Sequence, residues 1–100
     1  MSLTLCVQLW AVPGNEGLLA TYEDEVLSLL GDHGARLLQR VRTVERSDGP
    51  YEVQIIELPD DAALEAYMAD PRRLAAAPLR DRSVARTEIT RVTEVATSGQ

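Results

Sequence analysis

The chain has 100 residues, 45% of them hydrophobic, with sixteen acidic side chains against ten basic ones and a formal net charge of −6. That length accommodates one hydrophobic core, and the acidic excess argues against a nucleic-acid partner. Every basic residue is an arginine, so Schiff-base and amine-nucleophile chemistry is left to the terminal amine alone.

Cys6 is the single cysteine, which rules out an intrachain disulfide and makes a cytoplasmic location the expectation. No apolar run approaches the roughly 18 residues of a membrane span, and the N-terminus lacks a basic leader, so no membrane association is expected. With His33 as the only histidine there is no zinc-type cluster, and the scattered carboxylates do not form a calcium loop. Neither a metal nor any other cofactor is assigned.

In chain order, residues 3–12 alternate as a strand, with Leu3, Leu5, Val7, Leu9 and Ala11 on one face and Thr4, Cys6, Gln8, Trp10 and Val12 on the other. The leucine face is expected to lie under helices. Pro13, Gly14 and Asn15 break the strand and supply a cap for a helix over 16–30, whose buried stripe is Leu18/Leu19, Tyr22, Val26 and Leu29/Leu30. Glu16, Glu23 and Asp24 sit toward its N-terminal half, where the helix dipole favours them, and Gly31 or Gly34 ends it.

Residues 36–46 and 51–58 read as a hairpin closed by Ser47, Asp48, Gly49 and Pro50. A register with Glu45 opposite Tyr51 segregates the charges and sets Arg42 across from Gln54. It gathers Leu37, Val41, Thr43, Val53 and Ile55 on one face, and Leu38, Arg40, Arg42, Val44, Glu52, Gln54 and Ile56 on the other. The first group is expected beneath the helices. Pro59, Asp60 and Asp61 open a second helix with Leu64, Tyr67 and Met68 as its stripe, and Asp70-Pro71 ends it. Residues 72–83 read as an irregular turn or short helix, and 87–95 as the last strand. Residues 1–95 are thus expected to form one domain, with 96–100 a flexible tail.

The order strand, helix, strand, strand, helix, strand, joined by right-handed crossovers, defines an α+β, ferredoxin-like βαββαβ fold with the first and third strands central. Two helices cover only one face of four strands. Burying even a few hundred Å² of the other face against a twofold mate would contribute several kcal/mol at roughly 25 cal/mol per Å², so a homodimer is expected.

Glu57-Leu58-Pro59, Ala63, Ala66-Tyr67, Asp70-Pro71, Pro78-Leu79-Arg80 and Arg82-Ser83, with His33-Gly34-Ala35-Arg36 and Arg40, are spaced as in a bacterial domain-of-unknown-function family. The chain resembles that family, which lies within the dimeric α/β-barrel superfamily, over residues 3–95. The resemblance implies a homodimer whose sheets face each other, with cavities near the sheet for small organic molecules. Relatives include cofactor-independent monooxygenases, lactone isomerases, and chlorite and haem enzymes. Leu58 stands where phenylalanine is usual, His33 where an aromatic is usual, and Arg73 where tyrosine is usual. That family has no agreed reaction, so no catalytic role carries over.

The candidate catalytic residues are Glu57, His33 and Tyr67. Glu57 ends a central strand on the face expected to be apolar, where a carboxylate must be paired, with Arg36 or Arg80 as the obvious partner, or have a raised pKa. His33 carries the imidazole most often used for general acid/base work, although at a helix C-terminus an imidazolium also serves as a cap. Tyr67 and Tyr22 lie on the inner stripes of the two helices, as core residues or with hydroxyls aimed at a ligand. Trp10 stacks on a planar substrate or anchors an interface. Arg36, Arg40 and Arg42 are placed to hold an anionic ligand, or, for Arg40 and Arg42, to pair with Glu52 or Glu88 across the interface.

Two functional readings follow. One is a homodimeric small-molecule-binding protein acting as a cofactor-independent enzyme, of monooxygenase, isomerase or cyclase type, on a small acidic or phenolic substrate. The other is a non-catalytic ligand-binding or structural dimer. Haem is disfavoured because His33 is the only nitrogen ligand and lies at the periphery.

Overall fold

A computed structural model describes residues 2–45 and 48–96. Its elements are β1 (Leu3–Ala11), α1 (Glu16–Leu27), a 3₁₀ turn (Leu30–His33), β2 (Arg36–Arg42), β3 (Glu52–Leu58), α2 (Asp61–Met68), α3 (Pro71–Ala75), α4 (Ala77–Ser83) and β4 (Val84–Val92). The strands form one antiparallel sheet in the order β2-β3-β1-β4, so β1 and β3 are central and the fold is α+β and ferredoxin-like, as the order of elements predicts. Of the predicted hairpin turn, Ser47 lies outside the described residues, as do 97–100 of the expected tail.

Local chemistry sets the boundaries. Helix α1 stops at Leu27, and a 3₁₀ turn carries the chain to Gly34, whose φ of 68° closes it in the left-handed region. A Cβ on Gly34 would approach Pro59 Cγ to 3.1 Å, so both conformation and space favour glycine there. Asn15 occupies the cap position of α1 but does not cap it, because its Nδ2 donates to the Arg82 carbonyl at 2.6 Å and ties α1 to α4. Asp60 does cap α2, accepting from the Ala63 amide at 2.8 Å, and Asp70 caps α3 through the Arg72 amide at 2.8 Å with Pro71 in the first turn. The segment after Asp70 is therefore two short helices, and β4 begins at Val84, earlier than expected.

The hairpin departs from expectation in register and in facing. Arg42 pairs with Glu52 and Arg40 with Gln54, and an irregularity between Leu37 and Gln39 shifts the rest of β2. Across β1, Leu5, Val7 and Leu9 face Ile56, Gln54 and Glu52. Directly paired residues share a sheet face, so Glu52, Gln54, Arg40 and Arg42 lie on the helix side. Val41, Val53 and Ile55 lie on the bare side with Cys6, Gln8 and Trp10, the reverse of the expected arrangement. The apolar floor is supplied by β1, Ile56 and Leu58, which form one cluster with Leu19, Leu30 and Tyr67. Glu52 and Gln54 tolerate full burial there because they satisfy one another and the arginines of β2.

Candidate functional site

Between the sheet and its helices lies a cavity of about 180 Å³. Leu5, Val7, Ile56 and Leu58 give it an apolar floor. Polar groups reach it from four elements: Tyr22 and Glu23 from α1, Gln54 from β3, Tyr67 from α2 and Arg73 from α3. Exposed lining residues, Met68, Arg80 and Ile89, mark its mouth.

The spacing of α1 explains why a carboxylate is here. Leu19, Tyr22, Glu23 and Val26 are its buried residues, one inward stripe at i, i+3, i+4 and i+7. Glu23 is only 6% exposed, and its Oε1 accepts from Gln54 Nε2 at 2.8 Å. Burial raises its pKa, the Gln54 hydrogen bond pulls it back, and the charge of Glu52 adds to the rise. The same Gln54 nitrogen lies 2.7 Å from Glu52 Oε2. Glu52 in turn takes Arg40 Nε at 2.8 Å and Arg42 Nη2 at 3.1 Å, while Arg40 Nη1 reaches Asp24 at 2.6 Å. A continuous polar chain thus runs from the cavity beneath α1 to the sheet edge.

Tyr67 spans the cavity wall. Its hydroxyl donates to the Val26 carbonyl at 2.9 Å, and the Arg73 guanidinium sits 4.6 Å above its ring. Burial pushes its pKa up to about 12, against the opposing charge of Arg73. Burial also raises the pKa of Tyr22, with Arg73 again the chief opposing charge.

The sequence-predicted residues divide into three places. Tyr22 and Tyr67 line the cavity. His33 is one step removed, with its ring edge against Tyr67, centroids 5.8 Å apart at 71°, and its Nε2 2.8 Å from Asp70 Oδ2. Arg40 and Arg42 belong to the buried Glu52 cluster, and Arg42 also lies 4.8 Å above the Tyr51 ring. Glu57 and Arg36 face each other on the bare side of the sheet and pair at 2.9 Å. Trp10 is on that side too, under the Arg86 guanidinium at 4.4 Å and donating Nε1–H to the Asp48 carbonyl at 2.8 Å. It borders a broader, open depression of about 640 Å³ with Tyr51 and Val44, whose polar, exposed walls make it a surface groove.

Glu23, Gln54, Arg73 and Arg80 are absent from the candidates drawn from sequence. Glu23 carried a signal, an acid in the inward stripe of an amphipathic helix. Arg73 and Arg80 carried none, because only the packing of α3 and α4 brings them to the cavity.

No family model matches the chain, and no curated protein sequence matches it significantly. Solved structures do match in fold. A dimeric protein of unknown function with a ferredoxin-like fold from Bacteroides fragilis superposes with a TM-score of 0.70 at 11% identity, over 91% of this chain and 94% of its own. A DABB-family protein with a ferredoxin-like fold from Mesorhizobium loti gives 0.67 at 13% identity, over 95% and 98%. SnoaB, a cofactor-independent oxygenase from Streptomyces nogalater, gives 0.70 at 15% identity, over 99% and 98%. The chain therefore has the ferredoxin-like fold found in dimeric, DABB-type and cofactor-independent oxygenase proteins. Among the described residues no helix is long and apolar enough to cross a membrane.

Proposed function

We propose that this protein is a cytoplasmic homodimer that binds a small organic molecule in the cavity between sheet and helices. The observation that carries the reading is the cavity itself. An apolar floor with a few converging polar groups is the usual form of a small-molecule site, and a cavity of about 150 Å³ lined by aliphatic side chains holds benzene. Binding at the bare sheet face is the basis for the dimer: Cys6, Val53 and Ile55 are half-buried in one chain, while Val41 is 45% and Val92 38% exposed beside them. On this reading Trp10, Arg36 and Glu57 serve the interface, and His33 is a positioning residue that acts through Tyr67.

A cofactor-independent enzyme of monooxygenase, isomerase or cyclase type is the second reading, favoured by one observation: a buried carboxyl, Glu23, with a raised pKa in the cavity wall. Such a group is suited to exchange a proton with a bound substrate, and Arg73 would steady an oxygen that gains charge. The likeness to SnoaB supports this reading through the fold.

Native mass spectrometry of gently purified protein tests both features of the first reading. A dimer carrying extra mass that is lost on denaturation is the expected result. A monomer overturns the paired sheets, and a protein that takes up no mass from a set of small aromatic and acidic compounds overturns the ligand cavity.

A further inference from the structure

Resting on the reading of this cavity as a ligand site, we propose that its ligand is a small organic carboxylate, with an apolar body of about one ring against the sheet and its carboxylate held by Arg73, Arg80 and Tyr22. The charge distribution points there. Arg36, Arg40, Arg42, Arg72, Arg86 and Arg91 each pair with a carboxylate of this chain. Among the described residues Arg73, Arg80 and Arg82 form no ion pair, and the first two line the cavity. In a chain with sixteen acidic residues and ten basic ones, two unpaired arginines at one cavity are not explained by a shortage of partners.

The hydrogen-bond inventory agrees. Arg73 Nε is the buried side-chain nitrogen or oxygen, among the described residues, that finds no hydrogen-bond partner. Tyr22, 2% exposed, lines the same cavity, and both arginines act on it electrostatically. An unmade hydrogen bond in a buried place costs free energy, and all three groups, Nε–H, guanidinium and phenol, are donors. A carboxylate is the acceptor that fits, because a guanidinium binds it through two parallel hydrogen bonds. Glu23 sets the limit on charge. With its carboxyl in the same wall, the site favours a monoanion over a phosphate dianion, and Gln54 keeps that carboxyl turned toward β3. The aliphatic floor of Leu5, Val7 and Ile56 receives the body of the ligand.

The test is methyl-detected NMR titration of the full chain with benzoate and with benzamide, its uncharged isostere, at neutral pH. Benzoate is expected to shift the methyl signals of Val7, Ile56 and Ile89 with a Kd at least about tenfold below that of benzamide. Arg73→Met and, separately, Arg80→Gln are expected to reduce that preference to about twofold or less. Arg80 is exposed at the mouth, so its variant tests the idea even where loss of the Arg73 stack on Tyr67 weakens the fold. Equal affinity for the two probes, or a preference that survives both substitutions, overturns the carboxylate proposal and leaves the cavity reading standing. Failure of both probes to move any of the three methyl signals overturns both.

Discussion

Gln54 Nε2 donates to Glu23 Oε1 at 2.8 Å, so an amide on the central strand β3 holds a carboxyl that hangs from α1. The same nitrogen also serves Glu52 at 2.7 Å, and the amide therefore separates two buried acids that would otherwise repel each other. Gln54→Leu removes the donor and keeps much of the volume. It is expected to cost on the order of 2–3 kcal/mol, the penalty of leaving a buried charged acceptor unpaired. Urea denaturation with an unchanged m-value checks this.

Glu23 has a pH signature of its own. Its folded pKa is raised, first by burial, so the folded state holds the proton more tightly than the unfolded chain. The stability it contributes is full below the ordinary glutamate value of about 4.3 and is lost as pH rises through the raised folded value. Glu23→Gln is expected to gain in melting temperature relative to wild type as pH rises above the ordinary glutamate value of about 4.3. A difference that does not change with pH would count against a shifted, buried carboxyl.

Asp70 behaves in the opposite sense. The Arg72 side chain first, then His33 and the Arg72 amide, hydrogen-bond its carboxylate and hold it well below the usual range. Its contribution is present above the unfolded value of about 3.9 and is lost as pH falls toward the lowered folded value. Asp70→Asn is expected to melt below wild type at pH 7, with the gap narrowing beneath about pH 4. Because Asp70 also caps α3 and anchors His33 beside Tyr67, the variant should broaden the Tyr67 ring signals as well.

Val53 lies on the bare sheet face beside Cys6, Gln8 and Ile55. If two such faces meet across a twofold axis, Val53→Arg buries an uncompensated charge from each subunit and dissociates the dimer. Sedimentation velocity is expected to show a monomer with an unchanged far-ultraviolet circular dichroism spectrum. A dimer that withstands the substitution would place the interface elsewhere.

The order of the elements, the central strands and the helix-facing side of β1 were legible because they depend on periodicity and on short-range signals: the Leu5-Val7-Leu9 alternation, the aspartate cap at 60, and the glycine that ends the first helical segment. So was the placing of Tyr22 and Tyr67 on inner stripes, which is a property of helical spacing alone. The facing of the hairpin was not legible. Val41, Val53 and Ile55 look like a core face, and Glu52 and Gln54 look like the mixed face left uncovered by the helices, as long as each strand is read by itself. Tertiary structure reverses them because Arg40, Arg42 and Glu23 arrive from other elements to satisfy Glu52 and Gln54, and a buried polar group is tolerated only in such company. Arg73 and Arg80 acquired their place in the same way. The sequence by itself determined a four-stranded sheet with helices on one side, since a strand or helix carries its own period. Only the tertiary structure decided which charges are paired and which face the cavity, since pairing depends on distances between residues far apart in the chain.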